Sequence, residues 1–277
     1  AGLPADDRMT EGPTGGATGD AGAAGAPEQP EPAGTGAAAH VLLLTLHHIA
    51  GDAISLQILL RELMQTYAAL ARDPGHRPAP LAVQYADFAA WQRGQDLDRQ
   101  VRYWVGELTG APALLDLPTD FPRPARQGFA GGSVDFALRG DSARRLRALA
   151  AQEKATPFMA LLAAYAALLG RYTGAAEAVI STPVTQRPHP DLEGLAGMFV
   201  NTLALRLPTG DPAGFRALLA ACRAKVLAGF QHQDAPFERI VDVLEPERSW
   251  AHNPVFQTMF SWKTRAAEAP ADAQAAR

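Results

Sequence analysis

Cysteine is almost absent from this 277-residue chain, since Cys222 is the only one and no disulfide can form within the chain. Cys222 lies in the helical pattern "FRALLAACRAKVLAGF", which predicts a buried, unreactive thiol. Long apolar runs are also missing, because no stretch approaches the roughly 20 apolar residues that cross a bilayer. The N-terminus lacks the basic-then-apolar pattern of a secretory signal. We therefore expect a cytoplasmic protein without a membrane partner.

Clustered positive charge is lacking as well. The formal net charge is −4, with 25 Lys and Arg residues against 29 Asp and Glu residues. A nucleic-acid surface needs clustered Lys and Arg, so we expect no nucleic-acid partner. Apolar material, in contrast, is ample: hydrophobic residues make up 47% of the chain, which is enough for a sizeable core.

Large apolar side chains are scarce at both ends of the chain. Residues 1–39 consist mainly of Ala, Gly, Pro, Thr and acidic residues, as in "EGPTGGATGDAGAAGAPEQPEPAGTGAAA". Such a segment cannot bury enough surface to offset the entropy lost on ordering, so we predict that 1–39 is disordered. The polar tail 266–277 is predicted to be disordered for the same reason.

Between these ends, strand and helix patterns alternate, which indicates an α/β architecture. Apolar runs or alternation predict strands over 40–46, 132–138, 178–184, 198–207 and 254–262. Apolar spacing of three and four predicts helices over 54–73, 83–94, 96–108, 141–154, 157–172, 211–230 and 236–244. The fifth of them is nearly apolar all round, so we expect it to be buried. The Pro-rich "PTDFPRPARQG" predicts a boundary between two partial lobes, 40–120 and 121–265.

The stretch "TLHHIAGDAIS" places His47 and His48 at the end of the first predicted strand and Asp52 at the start of a helix. Successive strand side chains point to opposite faces, so one histidine can face a cavity while the other packs into the wall. Gly51 allows the chain to turn. A metal site is disfavoured because adjacent histidines diverge and no third ligand is obvious. Two readings stay open: a core histidine with Asp52 as helix cap, or general-base and positioning chemistry by an imidazole.

Further motifs make the pattern recognisable. "HHIAGDAIS" resembles the HHxxxDG motif of the condensation domains of nonribosomal peptide synthetases, in the chloramphenicol-acetyltransferase-like superfamily. "YADFAAW" (85–91) is similar to the family's YxDFAxW motif, "GMFVNTLALR" (197–206) to GxFVNTxxxR, and "HQDAPFE" (232–238) to HQDxPFE. "ERSWAHNPVF" (247–256) is a looser match to a Ser-x-x-Asn-Pro element. The motifs follow the family order and cover residues from about 40 to 262.

The resemblance implies a two-lobed fold with a tunnel between the lobes and a reaction on tethered substrates. A donor acyl or peptidyl thioester and an acceptor aminoacyl thioester arrive on the phosphopantetheine arms of two peptidyl carrier proteins, which an adenylation domain accompanies, and the domain itself binds no cofactor. His48, together with His47, would be catalytic by binding or deprotonating the amine or by stabilising the tetrahedral intermediate. Asp52 would hold the loop through a salt bridge, for which Arg187 is the expected partner.

Two residues are expected to line the substrate tunnel, Gly51 and Asn201. Asn201 is the odd polar residue on the strand face that it shares with Phe199 and Leu203. An unpaired buried amide would cost about 1–3 kcal/mol. The sequence leaves open whether Asn201 bonds nearby backbone or points into a solvated channel.

The chain also departs from the family pattern. Ala53 replaces the motif's final Gly, which would strain the turn only if that position had a positive φ. Two motifs that the family carries upstream, SxAQxR and RHExLR, do not appear, and the sequence stops before the family's second lobe would be complete. We therefore expect a condensation domain that is incomplete at both ends. Alternatives to amide formation are therefore a catalytically inactive remnant, a scaffold that docks carrier proteins, and an ester-forming acyltransferase of the same superfamily.

Overall fold

The computed structural model describes residues 40–263, apart from positions 129, 212 and 248. The chain divides into two units after Thr45, and the described residues of the first unit, 40–45, have no helix or strand. All elements belong to the second unit. The predicted disordered segments 1–39 and 266–277 lie outside the described residues, and the lobe boundary near residue 120 stays a prediction.

Seven α-helices and three β-strands occur within the described residues, along with two 3-10 turns at 48–50 and 190–192. In chain order the elements are α1 (Ala53–Arg72), α2 (Tyr85–Arg93), α3 (Asp98–Leu108), α4 (Gly140–Gln152), α5 (Pro157–Thr173), β1 (Glu177–Thr185), β2 (Val200–Pro208), α6 (Phe215–Gln231), α7 (Phe237–Leu244) and β3 (Thr258–Met259). All seven helices lie close to the segments whose periodicity predicts them.

The three strands form one sheet in the order β2–β1–β3. β1 and β2 are antiparallel over nine residue pairs, from Glu177 opposite Pro208 to Thr185 opposite Val200. β3 runs parallel to the middle of β1 and contributes only two residues. The strands predicted over 178–184 and 198–207 are therefore confirmed, whereas the one predicted over 254–262 shortens to its centre.

Two predicted strands, 40–46 and 132–138, are wrong, because neither segment has strand structure. Both carry the apolar pattern of a strand, but a strand also needs a neighbouring backbone to complete its hydrogen bonds. Neither segment pairs with another in the part of the chain that the structure describes. Val134, Phe136 and Leu138, which alternate as in a strand, are exposed instead.

The core forms around α5, which begins and ends at residues suited to those positions. The Thr156 hydroxyl accepts a hydrogen bond from the N–H of Met159, Pro157 occupies the first turn, and Gly174 closes the helix at φ 70°. The prediction that this helix is buried holds only for its inner positions, where four residues have no exposed surface: Ala160, Leu162, Ala163 and Ala166. On its outer side Leu168 and Tyr172 are 48% and 64% exposed.

The helices α3 and α6 and the inner face of the sheet complete this core. Trp104, Ile180, Leu207 and Leu219 are at most 2% exposed. Cys222 is fully buried, as predicted, and burial raises the pKa of its thiol to about 11. No helix in the described range is long and apolar enough to span a membrane.

Candidate active site

The two histidines open a turn and do not end a strand. Nδ1 of His47 accepts a hydrogen bond from the N–H of Ile49 at 3.1 Å, and the carbonyl of His47 accepts one from Ala50 at 2.9 Å. These bonds close the 3-10 turn His48–Ala50. Strand alternation therefore does not apply to the pair, because the turn directs both rings. Residues 47–52 are called the His48 loop below.

His48 lies exposed on this loop. Its ring makes no hydrogen bond with any residue in the described range, so the ring is available to a ligand. His47, by contrast, is occupied by the local bond to the Ile49 N–H. Within residues 40–263 as described, no three His, Cys, Asp or Glu side chains come together in a way that could hold a metal ion.

Asp52 ends the His48 loop and caps α1. Its Oδ1 accepts a hydrogen bond from the N–H of Ser55 at 2.8 Å, and its own N–H donates to Ser55 Oγ at 3.2 Å. This reciprocal capping box satisfies two backbone donors at the helix start. The Asp52 side chain has no exposed surface, so its charge needs a partner within the protein.

Arg187 supplies that partner from the segment that follows β1. Its Nη2 lies 3.1 Å from Asp52 Oδ1, and its side chain is 4% exposed. The same nitrogen donates to the carbonyl of Leu195 at 3.1 Å, and the guanidinium carbon lies 4.0 Å from the centre of the Phe199 ring. The expected partner of Asp52 is thus in contact with it.

The two side chains of the ion pair meet through a single nitrogen–oxygen contact. Asp52 Oδ2 and Arg187 Nε and Nη1 are buried and have no hydrogen-bond partner among the described residues. A two-pronged pairing would fix the relative orientation of the two groups, which one bond does not. Burial lowers the pKa of Arg187, and the charge and hydrogen bond of Asp52 oppose that shift.

Ser55 joins the ion pair to the residues just before β2. Its Oγ lies 2.8 Å from the carbonyl oxygen of Gly197, to which it donates, and accepts from the N–H of Gly197 at 3.0 Å. The carbonyl of Gly197 also accepts from the N–H of Asp52 at 3.3 Å. We call residues 195–199 the Gly197 turn. Both backbone groups of Gly197 are thereby bonded to the start of α1.

Tyr85 of α2 presses on the other side of the Gly197 turn. A Cβ placed on Gly197 would lie 2.1 Å from Tyr85 Cδ2, a distance that real Cβ contacts do not reach. The Tyr85 hydroxyl donates to the carbonyl of Met198 at 3.0 Å. Only glycine fits between the ring and the chain here, so three of the recognised motifs meet at one position.

Ser55 was missed by the sequence reasoning, although it has no exposed surface and five polar contacts at this junction. The available signal was its place three residues after the helix cap Asp52, where a hydroxyl can complete a capping box. Its contacts with Gly197, 142 residues further along the chain, carry no local signal in the sequence.

A positive φ does not explain the residues found at positions 51 and 53. Gly51 has φ −178°, which any residue can adopt, but a Cβ there would lie 2.9 Å from Leu46 Cδ2 and 3.0 Å from Ser55 Cβ. Crowding against the buried Ser55 therefore favours glycine at this position. Ala53 is the first residue of α1 and is not among the residues with positive φ, so it brings no backbone strain.

Asn201 bonds backbone and does not point into a channel. Its Nδ2 donates to the carbonyls of Gln233 and Ala235, both at 2.8 Å, and its Oδ1 accepts from the N–H groups of Thr202 and Phe237 at 2.9 and 3.1 Å. All four hydrogen-bonding positions of the amide are thus used. The tunnel role assigned to Asn201 is corrected to that of a clamp between β2 and the "HQDAPFE" segment.

The remaining motif side chains are mainly structural. Tyr85 and Phe88 pack on the Phe199 ring, with centroid distances of 5.1 and 4.7 Å. Trp91 lies at the margin of this aromatic cluster and is 52% exposed. In the "HQDAPFE" segment Pro236 is the N-cap of α7, and Asp234 Oδ2 accepts a hydrogen bond from Gln100 Nε2 at 3.0 Å.

Comparison with known proteins agrees with the motifs. The family model of the Condensation domain matches residues 34–275. Malpinin synthetase from Mortierella alpina is 45% identical over 227 residues, covering 80% of this chain and 3% of that protein. Tyrocidine synthase 3 from Brevibacillus parabrevis is 42% identical over 226 residues, covering 80% of this chain and 3% of that protein. The chain thus spans only a small part of these curated relatives.

A solved structure shows the same architecture. The X-domain in complex with OxyB from teicoplanin biosynthesis has a TM-score of 0.74 and 30% sequence identity, covering 82% of this chain and 52% of that one. The expected α/β fold of the chloramphenicol-acetyltransferase-like type is confirmed by this likeness. Because the family model matches most of the chain and the motifs lie at the site described above, the chain belongs to the condensation-domain family of nonribosomal peptide synthetases.

Proposed function

We propose that this chain forms an amide bond between a donor acyl or peptidyl thioester and an acceptor aminoacyl thioester. The observation that carries the proposal is the His48 loop, which presents an unengaged, exposed imidazole on a base fixed by the buried Asp52–Arg187 pair. The family and the similarity to peptide synthetases support the substrate class.

In the proposed reaction the acceptor amine nitrogen bonds to the thioester carbonyl carbon, and the carbon–sulfur bond breaks. The donor arm leaves as a thiol after taking up a proton, and the amine nitrogen loses one. His48 is the group that meets the amine and can accept its hydrogen bond or its proton. Asp52 and Arg187 hold the loop and do not touch substrate.

Both reactants are proposed to arrive on phosphopantetheine arms of donor and acceptor peptidyl carrier proteins, with an adenylation domain as neighbour. Aminolysis of a thioester is downhill, so the main task is to align two tethered reactants. A domain of this kind needs no cofactor of its own, and we place the reaction in the cytoplasm. The lobes 40–120 and 121–265 would flank the tunnel, with Gly51 near it.

The test uses purified donor and acceptor carriers loaded with acyl and aminoacyl groups, mixed with the full chain and analysed by intact mass. We expect the donor mass to move onto the acceptor carrier. Replacing the acceptor's amine by a hydroxyl should abolish product, whereas an ester-forming enzyme would prefer the hydroxyl. No transfer with either acceptor, under conditions where an intact condensation domain works, would overturn the proposal.

A docking role without catalysis is the second candidate. The observation that favours it is the likeness to the X-domain, whose solved structure is a complex with OxyB. One comparison distinguishes the two functions. A scaffold would bind the carriers in a pull-down and yet would not transfer the donor acyl group to the acceptor carrier in the assay above.

A further inference from the structure

We infer that Ser55 is a positioning residue, whose buried hydroxyl fixes the His48 loop against the Gly197 turn and thereby sets the position of His48. For its catalytic consequence this inference rests on the proposed function. The structural part, that the hydroxyl holds the loop, can be tested without any activity.

The hydroxyl of Ser55 is saturated with partners. A hydroxyl donates one hydrogen bond and accepts two. Its proton is shared between Asp52 Oδ1 at 2.7 Å and the carbonyl of Gly197 at 2.8 Å. Its lone pairs face three N–H donors: Gly197 N at 3.0 Å, Asp52 N at 3.2 Å and Arg187 Nη2 at 3.3 Å. One side chain therefore contacts the loop, the ion pair and the turn.

The ion pair provides only part of this connection, because it reaches the Gly197 turn through the contacts of Arg187 with the Leu195 carbonyl and the Phe199 ring. Arg187 and Asp52 meet through one nitrogen and one oxygen, and the other polar atoms of the pair have no partner among the described residues. A single contact allows the two groups to rotate about it. Ser55 adds bonds in other directions to the same Oδ1 and to the same Nη2, and it also bonds both backbone groups of Gly197, which restricts that freedom further.

The connection reaches His48 through two further contacts. Gly51 packs so closely on Ser55 that a Cβ at Gly51 would lie 3.0 Å from Ser55 Cβ. The N–H of Gly51 in turn donates to the carbonyl of His48 at 3.3 Å. A shift at Ser55 is therefore transmitted through this closely packed turn to the backbone that carries the imidazole.

The first test follows the His48 imidazole by NMR in protein labelled with ¹³C at the histidine rings. The His48 signal is assigned with His48→Gln. In Ser55→Ala we expect it to shift or broaden, whereas the signals of His76 and His252 keep their positions. Ser181→Ala is the matched control, since Ser181 is also fully buried and its Oγ donates to Thr258 O at 3.1 Å, away from the His48 loop. An unchanged His48 signal in folded Ser55→Ala would overturn the inference.

Ser55→Cys provides a second variant if the alanine variant does not fold. Cysteine keeps the shape of the side chain with a larger atom in place of the oxygen, but its thiol donates only weakly, so the His48 signal should move as in the alanine variant. Ser55→Thr keeps the hydroxyl, and we expect it to restore the wild-type signal. A cysteine variant with the wild-type signal would also contradict the inference.

The second test is kinetic and uses the carrier assay. Ser55→Ala should lower kcat for amide formation roughly tenfold while KM for the acceptor carrier stays within about twofold, because a displaced imidazole weakens the chemistry and not the docking. Ser55→Thr should recover kcat. If the wild type makes no product, the proposed function fails, while the NMR result still decides the role of Ser55.

Discussion

Asp52 and Arg187 form the most deeply buried ion pair among the described residues, with side chains 0% and 4% exposed. For these two residues, two free energies compete: the cost of removing both charges from water, and the cost of leaving one buried charge without a counter-charge. The second cost is the larger, so each partner is needed once the other is present. The pair is therefore a structural requirement of the His48 loop whatever the loop's chemistry.

Removing one partner of this pair should consequently lower the free energy of unfolding by more than removing one partner of a surface ion pair. We expect Asp52→Ala to lower the free energy of unfolding by about 3–5 kcal/mol, because it leaves the Arg187 charge buried without an anion. Urea denaturation followed by circular dichroism measures the change. Arg239→Ala is the control, since Arg239 and Asp98 are half-exposed and the loss should be about 1 kcal/mol or less. Equal losses in both variants would contradict this account.

Cys222 gives a pH-dependent prediction. Burial raises the pKa of its thiol to about 11, so the folded state holds this proton more tightly than the unfolded state does. The resulting stability is fully present below the ordinary thiol pKa and is lost as pH rises towards 11. The free energy of unfolding of the wild type, relative to Cys222→Ala, should therefore fall between pH 9 and pH 11. A pH-independent difference would show that the thiol is not buried.

The residue scale also shows how far the sequence could predict the site. Arg187 is the expected partner of Asp52 because the resemblance implies an Asp–Arg pair and Arg187 follows a predicted strand, and it lies in contact with Asp52. The sequence does not predict Ser55 as a site residue, because its role depends on Gly197, which lies close to it only in the folded chain. For Asn201 the sequence indicated a buried polar side chain, but its partners come from a segment more than 30 residues away.

Among the elements, α1 is unusual because its apolar side chains are largely exposed. Only Ser55 and Ile58 are buried in this helix. Apolar residues recur every three or four positions and stay between 39% and 72% exposed: Leu56, Leu60, Leu63, Tyr67 and Leu70. Such a continuous apolar face favours association with other surfaces.

Substitutions on that face should change association more than stability. We expect Leu63→Lys to alter the free energy of unfolding by about 0.5 kcal/mol or less, because the side chain is already 42% exposed, and to reduce self-association in sedimentation velocity. Leu219→Ala, in the fully buried part of α6, should cost about 2–5 kcal/mol. A comparable loss in Leu63→Lys would mean that the α1 face is covered in solution.

The contact between α2 and the Gly197 turn gives a sharper comparison. Gly197→Ala should cost about 1–3 kcal/mol, because the new methyl group must displace the Tyr85 ring and weaken its bond to Met198. Gly194→Ala is matched to it, since a Cβ at Gly194 meets no atom within 4 Å. Thermal unfolding of both variants measures the difference. If Gly194→Ala were the more damaging, the close approach of Tyr85 would be refuted.

Helices were predicted more successfully than strands, for a physical reason. A helix such as α5 makes its hydrogen bonds within its own segment, so capping residues and apolar spacing suffice to predict it. A strand depends on a partner that the local sequence does not show. β1 and β2 have each other, whereas residues 132–138 have the strand pattern without a ladder partner among the described residues.

At the scale of the whole molecule, the family assignment and the site involve the same motifs. The motifs, the family match over residues 34–275 and the fold place the chain among condensation domains. Within the site we propose distinct tasks: the Asp52–Ser55–Arg187 network holds the loop, the Gly197 turn anchors that network next to β2, and the His48 ring stays free for the reaction. The proposal of amide formation depends on the last of these assignments.

Single-turnover transfer between loaded carriers, comparing His48→Ala with His47→Ala, tests this assignment most directly. We predict that His48→Ala lowers the rate of amide formation by about 100-fold or more while both variants keep the wild-type melting temperature within about 2 °C, since an exposed ring adds little stability. His47→Ala should lower the rate less, because the His47 ring accepts a local hydrogen bond from the Ile49 N–H within the turn. Wild-type transfer rates in His48→Ala would contradict the central claim.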